Sequence, residues 1–405
     1  FVSSIFFILF VAKTYAQPCF SDKVVTSAFA TSGSSVNKTK VLWLTWGSTN
    51  QTTNPYGRHN IQLLKGTKSY ASIPLGGDKY LCIEAEIINI ASGAVNSYAP
   101  GNYSGDSFDD LYNIGGSGSN NRLVTGIRNR INAETSTLTI KCKATIDGVP
   151  IRLPGMVVAD AESLASNEYI YATADGKWNL VELKKNTADS AYNVSKESVA
   201  GSTMQTIKFL AGNDNNTAAI AFLAFNETAY NTTGNSPDLS VQFSATLKGG
   251  GLTALALGLL TPSADLGDAP KSYGAPINLL QNISFTLDNI PIGTVTNVNT
   301  NNYKPGSLVN VAGSFLGSVA PDSDNRIQAS KDALGDDRIG VANEEDAWPD
   351  ELKRFSVKSN YIAGAKITAK IPYKNGLVND KISGWIDFNL NGAFDEEERA
   401  TVKIG

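Results

Sequence analysis

Residues 136–153 read STLTIKCKATIDGVPIRL, and residues 168–183 read EYIYATADGKWNLVEL. In both, apolar and polar residues alternate with period two on either side of an Asp-Gly pair. That is the pattern of a half-buried strand, and Asp-Gly supplies the positive φ a tight hairpin turn needs. Two hairpins are therefore expected, with turns at Asp147-Gly148 and Asp175-Gly176. Leu239, Val241, Phe243, Ala245 and Leu247 alternate in the same way. The run from Leu252 to Leu260 is apolar on both faces but only nine residues long, so it reads as a strand buried between layers and not as a membrane helix. Val41-Leu42-Trp43-Leu44-Thr45-Trp46-Gly47 is likewise apolar on both faces, as a central strand of a sandwich is. Amphipathic helical pattern is confined to short stretches around 104–113 and 186–200. The fold class is all-β.

Composition agrees. The chain has 405 residues, with 36 Gly and 15 Pro against 18% charged residues, which favours strands and turns and allows two or three domains. A single histidine, His59, excludes multi-histidine metal sites and zinc modules. It also makes a serine-hydrolase reading of Gly105-Asp106-Ser107 untenable, because His59 lies upstream of where a triad histidine would follow. There is no Walker motif and no dinucleotide fingerprint after a strand. The net charge of −4 leaves no basic footprint for nucleic acid. From Asp265 onward there are 19 acidic and 14 basic residues, whereas the part before it is nearly neutral, so cations are the expected partners of the acidic back half.

Residues 1–16 carry a short apolar segment, Ile5 to Ala12, followed by small residues at Thr14 and Ala16, and are read as part of a signal peptide cut before Gln17. Tyr15-Ala16-Gln17-Pro18 before Cys19 is not a lipobox. Three cysteines are too few for a disulfide scaffold. Cys142 shares the apolar face of Leu138, Ile140, Ala144 and Ile146 and is expected in the core. Cys82 lies on the face of Glu84 and Glu86, and a bridge between Cys82 and Cys142 is left open. A domain boundary is expected near 261–264, giving residues 17–264 and 265–405. The second domain is expected to continue past the last residue given.

Residues 384–398, GWIDFNLNGAFDEEE, fit a twelve-position calcium loop from Asp387 to Glu398. Asp387, Asn389 and Asn391 would give side-chain oxygens, Ala393 its carbonyl, Asp395 a direct or water-bridged contact and Glu398 two oxygens. The alternation from Gly384 to Phe388 makes the flanks strands, so a structural Ca2+ pinning a β-turn is expected. A second set, Asp322, Asp324, Asp336, Asp337, Glu344 and Asp346, is dense enough in like charge to call for a counter-ion or for solvation. In the first domain, PGNYSGDSFDDLYNIGG at 100–116 sets Asp106, Asp109, Asp110 and Tyr112 on a glycine-rich loop, a composition suited to a sugar or to calcium. Asp160 and Glu162 follow a buried strand with both side chains on one side; their ligand-binding reading competes with a glycosidase pair.

These segments resemble a known family. VLWLTWG, PGNYSGDSFDDLYNIGG, GVPIRLPGMVVADAES and LKGGGLTALALGLL resemble the second non-repetitive domain of the streptococcal fibrillar adhesin CshA, as it occurs in Bacteroidetes surface proteins. DLGDAPKSYG, PDSDN, ALGDDRIG, NEEDAWPDE and GWIDFNLNGAFDEEE resemble the GEVED domain that often follows it. The resemblance implies a lectin-like β-sandwich that binds a host extracellular-matrix protein or a glycan, followed by a smaller, calcium-associated β-sandwich. It also implies a non-enzymatic, secreted or cell-surface protein associated with the outer membrane, with no nucleic-acid partner and no membrane insertion of the mature chain. The competing readings are a secreted glycan-active hydrolase using paired carboxylates, and a structural stalk.

Overall fold

The computed structural model describes most of residues 19–404, apart from 48–59, 99–106, 115–125, 185–191, 212–216, 349–367 and some shorter stretches. His59, Asp106, Glu162 and Asp346 lie outside the described residues. The strands run in the order β1 (Val41–Trp43), β2 (Gln62–Leu63), β3 (Lys68–Gly76), β4 (Lys79–Ser92) and β5 (Val95–Tyr98), then the short helix α1 (Ser107–Leu111). There follow β6 (Gly126–Asn129), β7 (Thr135–Ile146), β8 (Val149–Ile151), β9 (Gly155–Asp160), β10 (Tyr169–Lys184) and β11 (Tyr192–Ser198). β12 (Met204–Leu210), β13 (Ala218–Phe225), β14 (Val241–Lys248) and β15 (Ala254–Leu260) complete this part.

These strands and the later Thr296–Val298 form one curled antiparallel sheet of 16 strands, whose main path is β2-β5-β6-β15-β9-β13-β10-β14-β7-β4-β3. The curl brings its two halves face to face. Ile83, Ile87, Ile140, Ile207 and Phe243 from one half pack in a single core with Leu42, Trp46, Met156, Val158, Leu223 and Leu257 from the other. The all-β expectation holds. Period-two burial along β7 and β10 is what gives each strand one face for this core.

The strands read as apolar on both faces are buried on both. Leu255, Leu257 and Leu259 of β15 face the main core, while Ala256 and Leu260 face a second cluster built from α1, with Val41 and Trp43 of β1. Phe108 and Tyr112 meet Trp43 edge to face, with ring centroids 5.1 and 4.9 Å away. One strand beyond residue 264 also belongs to the large sheet: Thr296–Val298 pairs with β11. Lys196 on β11, buried, ion-pairs with Asp288 at 2.6 Å and so ties the incoming segment down. Beyond Leu260 the other described strands form two-stranded antiparallel ladders, 263–266 with 277–280, 282–285 with 308–311, 315–316 with 373–374, and 381–385 with 399–403.

Two expectations are corrected, and the open question of the cysteines is answered. Asp147-Gly148 is a hairpin turn, with φ of +51° and +78°. Asp175-Gly176, however, lies inside the continuous strand β10. There the ladders to β12 and β14 end and the ladder to β13 begins. The glycine serves close approach, since a Cβ at 176 would lie 2.2 Å from the Ala224 carbonyl oxygen. Second, the described part of 186–200 is strand β11, held by its ladder to β12, and not helix. The disulfide joins Cys19 to Cys82, and Cys142 is a free, buried thiol. Cys82 and Cys142 sit on adjacent strands but point to opposite faces, which bars a bridge between them.

The Cys19–Cys82 bridge closes a loop with a sequence separation of 63. Loop-closure entropy for that length is worth at most about 4 kcal/mol. Cys82→Ser is expected to lower the unfolding free energy by roughly 2–4 kcal/mol in urea titration, an effect that disappears when both proteins are reduced. Burial pushes the Cys142 thiol well up, so it should react with a thiol reagent only on unfolding.

Candidate functional site

α1 carries Asp109 and Asp110 of the residues that the sequence nominates for ligand contact, and Tyr112 follows it directly. Phe108, Leu111 and Tyr112 turn inward and are buried, which leaves Asp109 half-buried and Asp110 exposed. Asp110 ion-pairs with Lys184 at 3.6 Å. The Tyr112 hydroxyl donates to Glu182, and the Ser35 hydroxyl donates to the other carboxylate oxygen at 2.5 Å. A register shift between Leu180 and Glu182 breaks the regular alternation of β10 just where Glu182 leaves the strand toward α1. Burial pushes the Glu182 carboxyl up, and the donors Ser35, Tyr112 and Asn37 only partly offset it. Glu182 thus clamps α1 and the 31–37 loop to the sheet, a contact that no local sequence signal announced.

Asp160 ends β9 fully buried and accepts a hydrogen bond from the Tyr192 hydroxyl. A general acid or nucleophile must reach its substrate, and Asp160 has no exposed surface. Of the described nominees, Tyr112 and Asp160 have their polar groups engaged inside the protein, and Asp109 and Asp110 remain at the surface.

In the acidic half, strands 381–385 and 399–403 pair, with Trp385 opposite Arg399, so the 386–398 loop is a hairpin loop as the alternation predicts. Its own hydrogen bonds shape it. Asp387 accepts the Gly392 N–H at 3.0 Å, Asn389 and Asn391 accept the N–H two residues on at 2.8 Å each, and Glu398 accepts from Phe388 at 2.9 Å and from Asp395 at 3.1 Å. The Asn389 and Asn391 amides both donate to Asp395. The Tyr273 hydroxyl donates to Asp387 at 2.9 Å, and its ring lies 4.4 Å from that of Phe394, which docks the loop on the 271–273 turn. Among the described residues no basic side chain ion-pairs with Asp387, Asp395 or Glu398. The donor set is all oxygen and carries three carboxylates, which suits a hard cation such as Ca2+.

The second acidic set is partly assembled, with one member the sequence reading missed. Carboxylate oxygens of Asp265, Asp324 and Asp336 lie within 4.8 Å of one another, the one such group of three or more among the described residues. Asp265 and Asp336 are buried, as is Glu344, which accepts the Asp322 N–H at 2.6 Å. Burial raises the Asp336 carboxyl; a hydrogen bond with Glu344 lowers it in part, and the charges of Asp324 and Asp322 raise it further. Asp337 faces elsewhere, accepting the Asn343 N–H at 2.5 Å. Asp265 is brought in by its strand: Asp324 accepts the Leu266 N–H at 2.9 Å and donates its own N–H to the Ala264 carbonyl at 2.8 Å. A contact across so many residues leaves no local spacing to read.

The family model for the surface adhesin CshA, non-repetitive domain 2, matches residues 39–260. The chain belongs to this family. The match spans β1 to β15 and ends where the large sheet's last long strand ends. The CshA-type region therefore contains α1, Glu182 and Asp160, and the acidic clusters lie outside it. Among solved structures, the N-terminal domain of the Streptococcus gordonii adhesin Sgo0707 is similar at 10% identity and a TM-score of 0.27, over 62% of this chain and 65% of that one. No curated protein matches the chain. No helix among the described residues is long and apolar enough to cross a membrane.

Glu182 gives the CshA-type domain a pH signature. Its folded carboxyl titrates above the ordinary 4.5, so the stability it contributes is full below that value and is lost as pH rises through the folded value. Glu182→Gln, which removes the titration and leaves one oxygen able to accept, should flatten the dependence of melting temperature on pH across this window, with a constant loss for the acceptor given up. An unchanged profile would remove Glu182 as its source.

Proposed function

We propose that this chain is a secreted or cell-surface adhesin whose CshA-type domain binds a host extracellular-matrix protein or a glycan without turning it over. The acidic half, which resembles a GEVED domain, acts as a calcium-stiffened module beside it, as in outer-membrane-associated surface proteins of Bacteroidetes. The family match over 39–260 carries the adhesin reading. Its non-enzymatic character is supported by the enclosure of Asp160 and by the use of Tyr112 as a packing anchor.

Calcium is assigned first to the loop of Asp387, Asn389, Asn391, Ala393, Asp395 and Glu398, whose three carboxylates have no basic partner among the described residues. Two asparagines in place of aspartates reduce its charge and favour the weak, extracellular end of the affinity range. The second assignment is Asp265 with Asp322, Asp324, Asp336 and Glu344.

The mature chain, displayed over immobilised matrix proteins and glycans with calcium and with chelator, should bind one class saturably and release no product. Released product would replace the adhesin with an enzyme, and silence on every surface would favour a stalk. Asp387→Ala combined with Glu398→Ala should lower the melting temperature in calcium and leave it unchanged in chelator. Equal loss in both would take the ion out of this loop.

A further inference from the structure

The point at which β10 changes partners opens a groove. At Asp175 the strand leaves β12 and β14, and at Gly176 it joins β13. The β11–β12 turn on one side and the 227–231 segment after β13 on the other form the walls, and the start of β14 closes it. The cavity holds about 850 Å³, within the size range of small-ligand sites.

Its chemistry is narrow. Asp175 forms the floor and is the one charged side chain in the lining. Burial alone would raise its carboxyl, but hydrogen bonds from Thr228, Thr203 and Asn226 outweigh burial and hold it below its ordinary value. The Asn226 amide donates at 2.8 Å. The Thr203 and Thr228 hydroxyls lie 3.2 Å apart, so they share a hydrogen bond at the wall of the groove. Gln242 on the far wall is exposed, and its side-chain amide makes no hydrogen bond with the described residues. Met204 and Ala229 add apolar surface between these polar groups.

We propose that this groove is the carbohydrate subsite of the adhesin and takes a neutral glycan. The inference rests on the adhesin reading and deepens it. A hydroxyl pair, an ionised carboxylate and a spare amide match the alternating donors and acceptors of a polyol, and the apolar strip matches the C–H face of a sugar ring. A single negative charge with no basic residue in the lining disfavours sulfated or sialylated chains. Up to Ala174 the strand β10 is bonded to both β12 and β14, and the β14 edge left unpaired at the groove is only Val241 and Gln242, too short for an added peptide strand. Hydrolysis would need a second carboxylate across the groove, and its lining has none.

The test uses the full mature chain on an array of neutral hexose and N-acetylhexosamine oligosaccharides, sulfated oligosaccharides, and a matrix protein stripped of its glycans. The expected result is saturable binding to neutral glycans, weakened at least tenfold by Gln242→Trp, which fills the groove, and by Asp175→Asn. Gln242→Trp should melt with the parent. Should that variant fold poorly, saturating neutral glycan is expected to protect Met204 from peroxide oxidation in the parent protein, with the buried Met156 as internal reference. Neutral-glycan binding that survives Gln242→Trp, or leaves Met204 unprotected, overturns the site. Binding confined to the sulfated glycans or to the stripped protein overturns the ligand class and leaves the adhesin reading standing. Binding to nothing on the array overturns both.

Discussion

The backbone ladder of β10 holds the molecule together. This one strand is hydrogen-bonded to β12 and β14 through its first half and to β13 through its second, so it belongs to both faces of the curled sheet. The crossing is possible only because residue 176 has no Cβ, since the Ala224 carbonyl occupies the space one would need. The register shift a few residues later releases Glu182 toward α1, and the divergence at Asp175 opens the groove. Two consequences of the strand's path, a half-buried clamp and an open groove, thus arise within eight residues of each other.

The two parts of the chain manage charge differently. In the CshA-type domain, Glu84 is paired with Lys68 and Lys143 across the sheet, and Asp160, Asp175 and Glu182 accept from hydroxyl or amide donors. Such groups are stable without an ion. In the acidic half, the carboxylates of Asp265, Asp324 and Asp336 face one another, and those of the 387–398 loop take most of their hydrogen bonds from backbone N–H groups and amides. Backbone donors orient a carboxylate but leave the mutual repulsion of neighbours in place, which is the electrostatic condition a divalent cation relieves.

Binding and catalysis make different demands on the same residue types. Catalysis by carboxylates needs two of them across an open cleft with unequal proton affinities. In the first domain the buried Asp160 sits under Tyr192, and the half-buried Glu182 under Tyr112 and Ser35. Its open groove has a single carboxylate, kept ionised.

Much of the fold was legible in the order of residues. Period-two alternation along 136–147, the Asp147-Gly148 turn, and the two-faced apolar runs at 41–47 and 252–260 each report a local constraint, namely which side of a strand meets the core. The calcium-loop pattern at 387–398 is local in the same sense, because a twelve-residue hairpin loop is shaped by its own backbone bonds. The tertiary structure alone decided the rest. It made Asp175-Gly176 a crossing instead of a turn, because an Asp-Gly pair permits a hairpin but the ladder to β13 rewards continuing straight. It chose Cys19 over Cys142 as the partner of Cys82, because strand faces, not spacing, determine which thiols can meet. It brought Asp265 to Asp324 and Asp336, and Asp175 to Thr203, Thr228 and Gln242. These pairings join residues far apart in the chain, and burial of a shared core, which acts on the whole sheet at once, is what selects them.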